Sequence, residues 1–536
     1  MHRLRRPARA LLFSHDRRGT QRVEVGSVKR REVLLSPLLL AGLGGCRQGK
    51  GAADGVLRFG VANGPRNLDP RLATDAASER VNRLLYTRLV ELDEQGLPVP
   101  GIARWEALSP THYRFDLGEM GRAFSGGTRL LAADVAATYD SVLDPGSGSP
   151  HRALLSLIRE VRVPHEDRVE FLLHEPDPLF PAYLGIGILP AAAIASGRPF
   201  AERALGSGPF RVLDRPEPGR LRLERRRDGQ VLELIQVKDP NVRVMKLLRG
   251  EIHMLQNDLS PELVGFLEGR DGVRVESRSG VNFSYLGFNL ADPSTGDVAV
   301  RRAFAHAIDR QALVRYLFNG RARLAESLFP AEHWAGHPGL APRDHDPERA
   351  RALLESSGFT PARPLTVTLK TTSDPFRVRL ATAIQAQVAE AGIRLRIQSH
   401  DWGTFFGDVK EGRFQCFLLT WVGIRLPDIF RYAFHSASVP PEGANRGRYM
   451  SAETDRLIEE ARAQSTLAEQ APIYRALAAR LHEDLPYLGL WYEDQIAAVR
   501  PEVAGYSLAA DGNLDALADV GLRLAGPAPT VASFSP

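Results

Sequence analysis

The chain has 536 residues, 43% of them hydrophobic and 25% charged, with 48 glycines and 37 prolines, which suits a globular protein of more than one lobe with room for large cores. Its formal charge of +5 is concentrated at one end, since the first 31 residues hold ten Arg and Lys against Asp16 and Glu24. The remainder of the chain is slightly acidic, so nucleic-acid binding is not expected: that function needs basic side chains spread over one folded face.

In chain order the first feature is a leader. After Lys29-Arg30-Arg31 an apolar run extends from Val33 to Leu43 and ends in Leu43-Gly44-Gly45-Cys46. A run of about 11 residues is too short to cross a hydrocarbon core of about 30 Å as a helix, so it reads as the apolar region of a signal peptide. The small residues before Cys46 resemble a lipobox, which implies that Cys46 becomes the lipid-bearing first residue of the mature protein. Arg30-Arg31 also resembles a twin-arginine export signal, and the export route stays open. Residues 1–27 are long and basic for a leader, which leaves open an overextended translation start. Residues 1–45 are set aside from the fold. Cys46 and Cys416 are the only cysteines. With Cys46 lipidated, Cys416 has no disulfide partner and reads as a small buried hydrophobe in the apolar run Phe414–Leu419.

Residues 46–55 then form a small, flexible linker. Val56–Val61 alternates as an opening strand, and Asn67-Leu68-Asp69-Pro70 marks a turn. Asp134 precedes the helical stretch Val135–Val142 and is expected to cap it. Gly206 and Gly208 around Ser207 suit a tight backbone passage. Helical periodicity covers 298–318, 347–356, 376–391 and 452–484, the last with a break expected near Pro472. Strands are expected at 365–370, 393–399 and 414–421. The step from helix 376–391 through Gly392 into strand 393–399 is the second half of a crossover unit, so the architecture is α/β. Beyond the leader no stretch approaches 18 apolar residues.

Together these segments resemble the peptide and nickel branch of the extracellular solute-binding proteins of ABC importers, over nearly all of residues 56–523. The resemblance rests on Leu68-Asp69-Pro70, Leu89–Leu92, Pro100–Trp105, Tyr113–Leu117, Phe124–Gly127 and Ala132–Val135 in order. It continues through Gly206–Phe210, Asn282–Asn289, Val300–Phe304, Ala307–Arg310, Ala350–Gly358, Ala391–Ile393 and Leu485–Tyr487. It implies a periplasmic-binding-protein-like α/β fold with two lobes and a hinge, one lobe enlarged by an extra subdomain. Lobe I would comprise 56–87, 196–281 and 491–525, its extra subdomain 88–195, and lobe II 282–490. The implied function is an extracytoplasmic binding lipoprotein, periplasmic or at the cell surface and anchored through Cys46, that delivers a peptide or other small solute. Its partners would be ABC permease subunits with their ATPases. A monomer is expected, with no cofactor.

The ligand site follows less directly. In peptide-binding relatives an aspartate three residues after the tryptophan of the strand 414–421 anchors the peptide's amino terminus. Here that position is Ile424, in Trp421-Val422-Gly423-Ile424-Arg425-Leu426-Pro427-Asp428. Without the carboxylate an α-ammonium group loses a charge-assisted partner worth roughly 1.5–3 kcal/mol. Either Asp428 substitutes through a rearranged loop, or Arg425 selects an anion, or Arg425 is a solvated loop residue. Trp421 and Trp402 are candidates for the cleft wall, with core burial the competing role. Tyr285, Phe288 and Asn289, which follow the hinge strand into lobe II, are further candidates. Nickel chelate, haem or sugar cargo is the alternative within transport. Outside it stands a secreted lipoprotein with a hydrolytic or signalling role on the same scaffold.

Enzyme motifs are missing from the sequence. His333 and His337 lie four apart, with His345 beyond, but Gly336, Pro338 and Pro342 make the segment a loop, and no HExxH is present. There is no phosphate loop of the GxxxxGK[ST] type and no Gly-x-Ser-x-Gly elbow between a strand and a helix. The expectation is a binding protein that is not an enzyme, with no metal or catalytic residues.

Overall fold

A computed structural model describes residues 54–523. All of these belong to the compact unit Gly51–Pro536, whereas the unit Met1–Lys50, and with it the leader and Cys46, lies outside the described residues.

An eleven-stranded mixed sheet forms the frame. Strand Thr366–Thr372 pairs in parallel with both Arg394–His400 and Cys416–Trp421. At the other side, Leu57–Val61 pairs in parallel with Val231–Gln236 and Met254–Gln256. Between these parallel groups stand two long antiparallel strands, Arg274–Phe288 and Tyr487–Val499. The crossover expected around Gly392 is present: helix Pro375–Glu390 connects two parallel strands, and Gly392 takes φ +90°, a conformation that glycine adopts without steric cost.

The two long strands pair at both ends and lose register in the middle. Arg274–Arg278 pairs with Gln495–Val499, and Asn282–Gly287 pairs with Tyr487–Glu493, so Ser279–Val281 bulges opposite Asp494. Gly280 sits at this bulge because any Cβ there would lie 2.1 Å from the Glu493 carbonyl oxygen. Separate cores flank the bulge. Leu57, Phe59, Leu223 and Val499 share one on the first side. Leu286, Val367, Leu418 and Trp491 share another on the second. A third surrounds the four-stranded sheet of Ala103–Ser109, His112–Leu117, Arg168–Leu173 and Ile158–His165, where Phe171 meets Phe115 and Tyr139 edge to face.

The chain leaves this third unit through Gly206-Ser207-Gly208. A Cβ on Gly206 would lie 2.0 Å from the Leu85 carbonyl oxygen, and Gly208 N–H donates to that same oxygen at 2.9 Å. The backbone passage read from the sequence is therefore set by contact with the end of helix Ala76–Leu85.

Three elements differ in detail from the sequence reading. The stretch 298–318 is two helices, Val298–Ala307 and Arg310–Leu317, because Asp309 turns the chain and caps the second by accepting from Ala312 N–H at 2.8 Å. The stretch 452–484 also divides, into Ala452–Arg462 and Leu467–Asp484. The division falls at Thr466, whose capping box with Glu469 starts the second helix, and Pro472 lies inside that helix. Asp134 is inside helix Ala132–Leu143 at its third position. Its carboxylate reaches back to Leu131 N–H at 2.8 Å and across to Ala191 N–H at 2.7 Å. Cys416 is fully buried, with its thiol against the Thr368 carbonyl, and burial pushes the thiol pKa well up.

Candidate ligand-binding site

Alternation along Cys416–Trp421 decides where its side chains go. Cys416 and Leu418 enter one core, while Phe417 and, at the strand's end, Trp421 face another that contains Phe283, Tyr285 and Tyr487. Tyr285 stacks on Tyr487 with ring centroids 4.1 Å apart and meets Phe417 edge to face. Helix Trp402–Glu411 is capped by Asp401 and ends at Gly412, φ +76°. Trp402 and Phe406, one helical turn apart, stack at 5.1 Å with their planes 10° from parallel. Trp402 is 58% exposed.

Arg446 joins these groups. Its guanidinium carbon lies 4.7 Å from the Trp421 ring centroid and 5.1 Å from that of Phe406, and Nη1 donates to the Tyr285 hydroxyl at 3.4 Å. Tyr432 meets Trp421 edge to face at 6.4 Å. The result is two aromatic pairs, Trp402–Phe406 and Trp421–Tyr432, bridged by the buried Arg446 cation. The structure thus brings together Trp421, Trp402 and Tyr285 through Arg446 and Phe406. No sequence motif marks Arg446, and its placement depends on chain folding back 25 residues after Trp421.

The loop after Trp421 runs to other parts of the molecule. Arg425 Nη1 lies 3.0 Å from Asp511, and Nη2 donates to the carbonyls of Leu92 at 2.9 Å and Asp93 at 2.5 Å. The Arg425 carbonyl accepts from His333 Nε2 at 3.0 Å. Ile424 packs against the core shared by Phe283 and Tyr285. Asp428 begins helix Asp428–Phe434. Burial, with a smaller contribution from the neighbouring Asp177, pushes its carboxyl up to about 7. Asp177 is itself buried and accepts from the Tyr183 hydroxyl at 3.0 Å. Asn289 lies at the opposite end of the Trp421 strand. Its amide donates to the carbonyls of Gly412 and Phe414, and its oxygen accepts from Ala291 N–H.

The histidines of the 333–345 segment do not converge. His333 stacks on Phe329 at 4.2 Å, His337 accepts from Gly339 N–H, and His345 faces Asp309. Among the described residues no group of three or more His, Cys, Asp or Glu is placed to hold a metal ion, and no helix is long and apolar enough to cross a membrane.

Comparison with known proteins gives this geometry a context. Residues 97–439, more than half of the chain, match the family described as bacterial extracellular solute-binding proteins, family 5, middle region. The probable di/tripeptide-binding protein 5 of Pseudomonas aeruginosa is 28% identical over 531 residues, covering 90% of this chain and 97% of that protein. The dipeptide-binding protein of Escherichia coli is 25% identical over 483 residues, covering 82% and 90%. The fold resembles that of NikZ from Campylobacter jejuni, solved in complex with Ni(L-His), with a TM-score of 0.76 at 22% identity, covering 87% of this chain and 99% of that one.

Proposed function

The chain belongs to family 5 of the bacterial extracellular solute-binding proteins, and on that premise we propose that it captures a peptide or another small solute outside the cytoplasm and delivers it to an ABC importer. The observation that carries the reading is the loop from Trp421 to Asp428. It leaves an aromatic wall on one side of the bulged strand pair and reaches, through Arg425, the segments carrying Asp93 and Asp511. A ligand held against Trp421 and Trp402, with the buried Tyr285 supporting the wall from behind, would lie where the two halves meet, and bending at Ser279–Val281 and Asp494 would open and close access to it. Capture of this kind makes and breaks no covalent bond, so the protein works as a receptor and not as an enzyme.

Arg425 closes the site over the ligand, Asp428 supports the loop from its buried end, and Asn289 holds the strand's far end in place. Peptides are the favoured cargo because the relatives named above are dipeptide- and di/tripeptide-binding proteins. A metal chelate such as the one held by NikZ is the second reading, favoured by Ile424 standing where a peptide's ammonium group would need a carboxylate. The leader ending at Cys46 supports an exported protein tethered by lipid, periplasmic or at the cell surface, working as a monomer with permease subunits and their ATPases.

Thermal-shift titration with a dipeptide and tripeptide library, nickel–histidine, haem and sugars tests the reading. A saturable rise in Tm with peptides is expected. A rise with nickel–histidine alone would move the chain to the second reading, and no shift with any class would contradict both.

A further inference from the structure

Seven arginines are buried in the described residues: Arg88, Arg122, Arg225, Arg243, Arg301, Arg310 and Arg446. A buried guanidinium is costly unless carboxylates or carbonyls take its protons. Arg88, Arg122, Arg225 and Arg310 each have a carboxylate: Glu91, Asp167, Asp228 and Glu326. Arg243 donates to the carbonyls of Val237 and Asp258, and Arg301 to those of Asp484, Thr295 and Gly296. Arg446 has neither. Its guanidinium makes one hydrogen bond, the 3.4 Å contact to the Tyr285 hydroxyl, and among the described residues no acidic side chain lies within 4.0 Å of it.

The groups around Arg446 deepen the imbalance. Trp421 Nε1 and the Tyr487 hydroxyl are buried beside each other and Tyr285, in a geometry that falls short of a regular hydrogen bond. Indole N–H is only a donor, and a guanidinium has five donors and no acceptor. Two aromatic faces, Trp421 and Phe406, flank the cation and supply part of what a partner would, but they accept no in-plane hydrogen bond. The unpaired Arg446 N–H groups are not among the fully enclosed polar atoms, so they remain open to solvent, and among the described residues no protein anion stands beside them. The Arg446 guanidinium presents its fork beside the flat faces of Trp421 and Phe406, with the Lys410 ammonium 5.5 Å from the Phe406 centroid, and a planar carboxylate fits that fork in bidentate fashion.

We propose that Arg446 is the anion anchor of the binding site and that the solute this protein carries docks a carboxylate on it, between Trp421 and Phe406. This rests on the receptor reading above and specifies its ligand chemistry: the cargo is recognised through its acid end, in a site where Ile424 offers nothing to an ammonium end.

The test is calorimetric titration of the full mature chain with paired probes, trialanine against trialanine amide and nickel–histidine against nickel–histidinamide, for wild type, Arg446→Gln and Arg446→Lys. Whichever pair binds, the acid is expected to bind wild type at least tenfold more tightly than the amide. Arg446→Gln is expected to abolish that preference and Arg446→Lys to retain part of it, with unfolding temperatures showing that both variants fold. Equal binding of acid and amide by wild type, or an acid preference that survives in Arg446→Gln, overturns the proposal while leaving the receptor reading intact. Should neither pair bind, native mass spectrometry of material from the host decides. A co-purified carboxylic acid retained by wild type and lost from Arg446→Gln supports the anchor. A co-purified ligand without an acid group overturns the anchor alone, and no co-purified ligand counts against the receptor reading as well.

Discussion

Arg425 and Asp511 meet at 3.0 Å, tying the loop that leaves the sheet at Trp421 to the segment that follows the second long strand. Both side chains are mostly buried, and Asp511 is held from its other side by Asn513. Truncation to Arg425→Ala strands that carboxylate at a cost of about 1–3 kcal/mol, borne by the joined arrangement of the two halves. Small-angle scattering of the ligand-free protein should show a larger radius of gyration for Arg425→Ala than for wild type. Identical profiles would mean the pair does not hold the halves together.

The glycines at 206 and 407 make a controlled comparison. Gly206→Ala drives a methyl into the Leu85 carbonyl, an overlap that the backbone must move to relieve, and a loss of about 3 kcal/mol or more is expected. Gly407 lies in helix Trp402–Glu411, and a Cβ there meets nothing within 4 Å. Gly407→Ala should stabilise by about 0.5–1 kcal/mol. Urea unfolding of the two variants checks both signs.

His333 predicts an acid-side weakness. Burial is the main reason its imidazole is pushed down to about 4 from the ordinary 6.5. Between those values the unfolded chain binds a proton that the native state refuses. Stability is therefore full above about pH 6.5 and falls as the pH drops towards 4, by up to about 3 kcal/mol for this group. His482, also pushed down to about 4, adds a similar slope. Melting temperatures of His333→Gln between pH 4 and 7 should fall less steeply than those of wild type.

Asp428 acts with the opposite sign. Its native carboxyl holds a proton up to about pH 7, whereas the unfolded chain releases it near 3.8. Its contribution is present below 3.8 and is lost as the pH rises through 7. Asp428→Asn removes a charge that exists only above that value at a half-buried position, so the variant should be more stable than wild type at pH 8, by about 1–2 kcal/mol, and no more stable at pH 4. Equal melting temperatures at pH 8 would show that this carboxylate is solvated.

What the sequence made legible was local. The αβ step at Gly392 could be read because glycine's tolerance of φ +90° and the switch of hydrophobic period lie within a few residues of each other. The division of 452–484 was misplaced because proline is a strong breaker by propensity, yet Pro472 sits near the start of a helix that the Thr466 and Glu469 box had already begun. Trp421 stood out by its place in a strand. Arg446, which ties Trp421 to Phe406 and Tyr285, did not, because its significance lies in partners it lacks, and only the packed structure shows that.

Native mass spectrometry of the protein purified from its own host shows whether a solute occupies this site. A small-molecule adduct is expected that survives gentle ionisation, disappears on denaturation and is reduced or lost in Trp421→Ala. A bare protein mass under the same conditions, with no small molecule released on denaturation, would contradict a solute receptor built on this site.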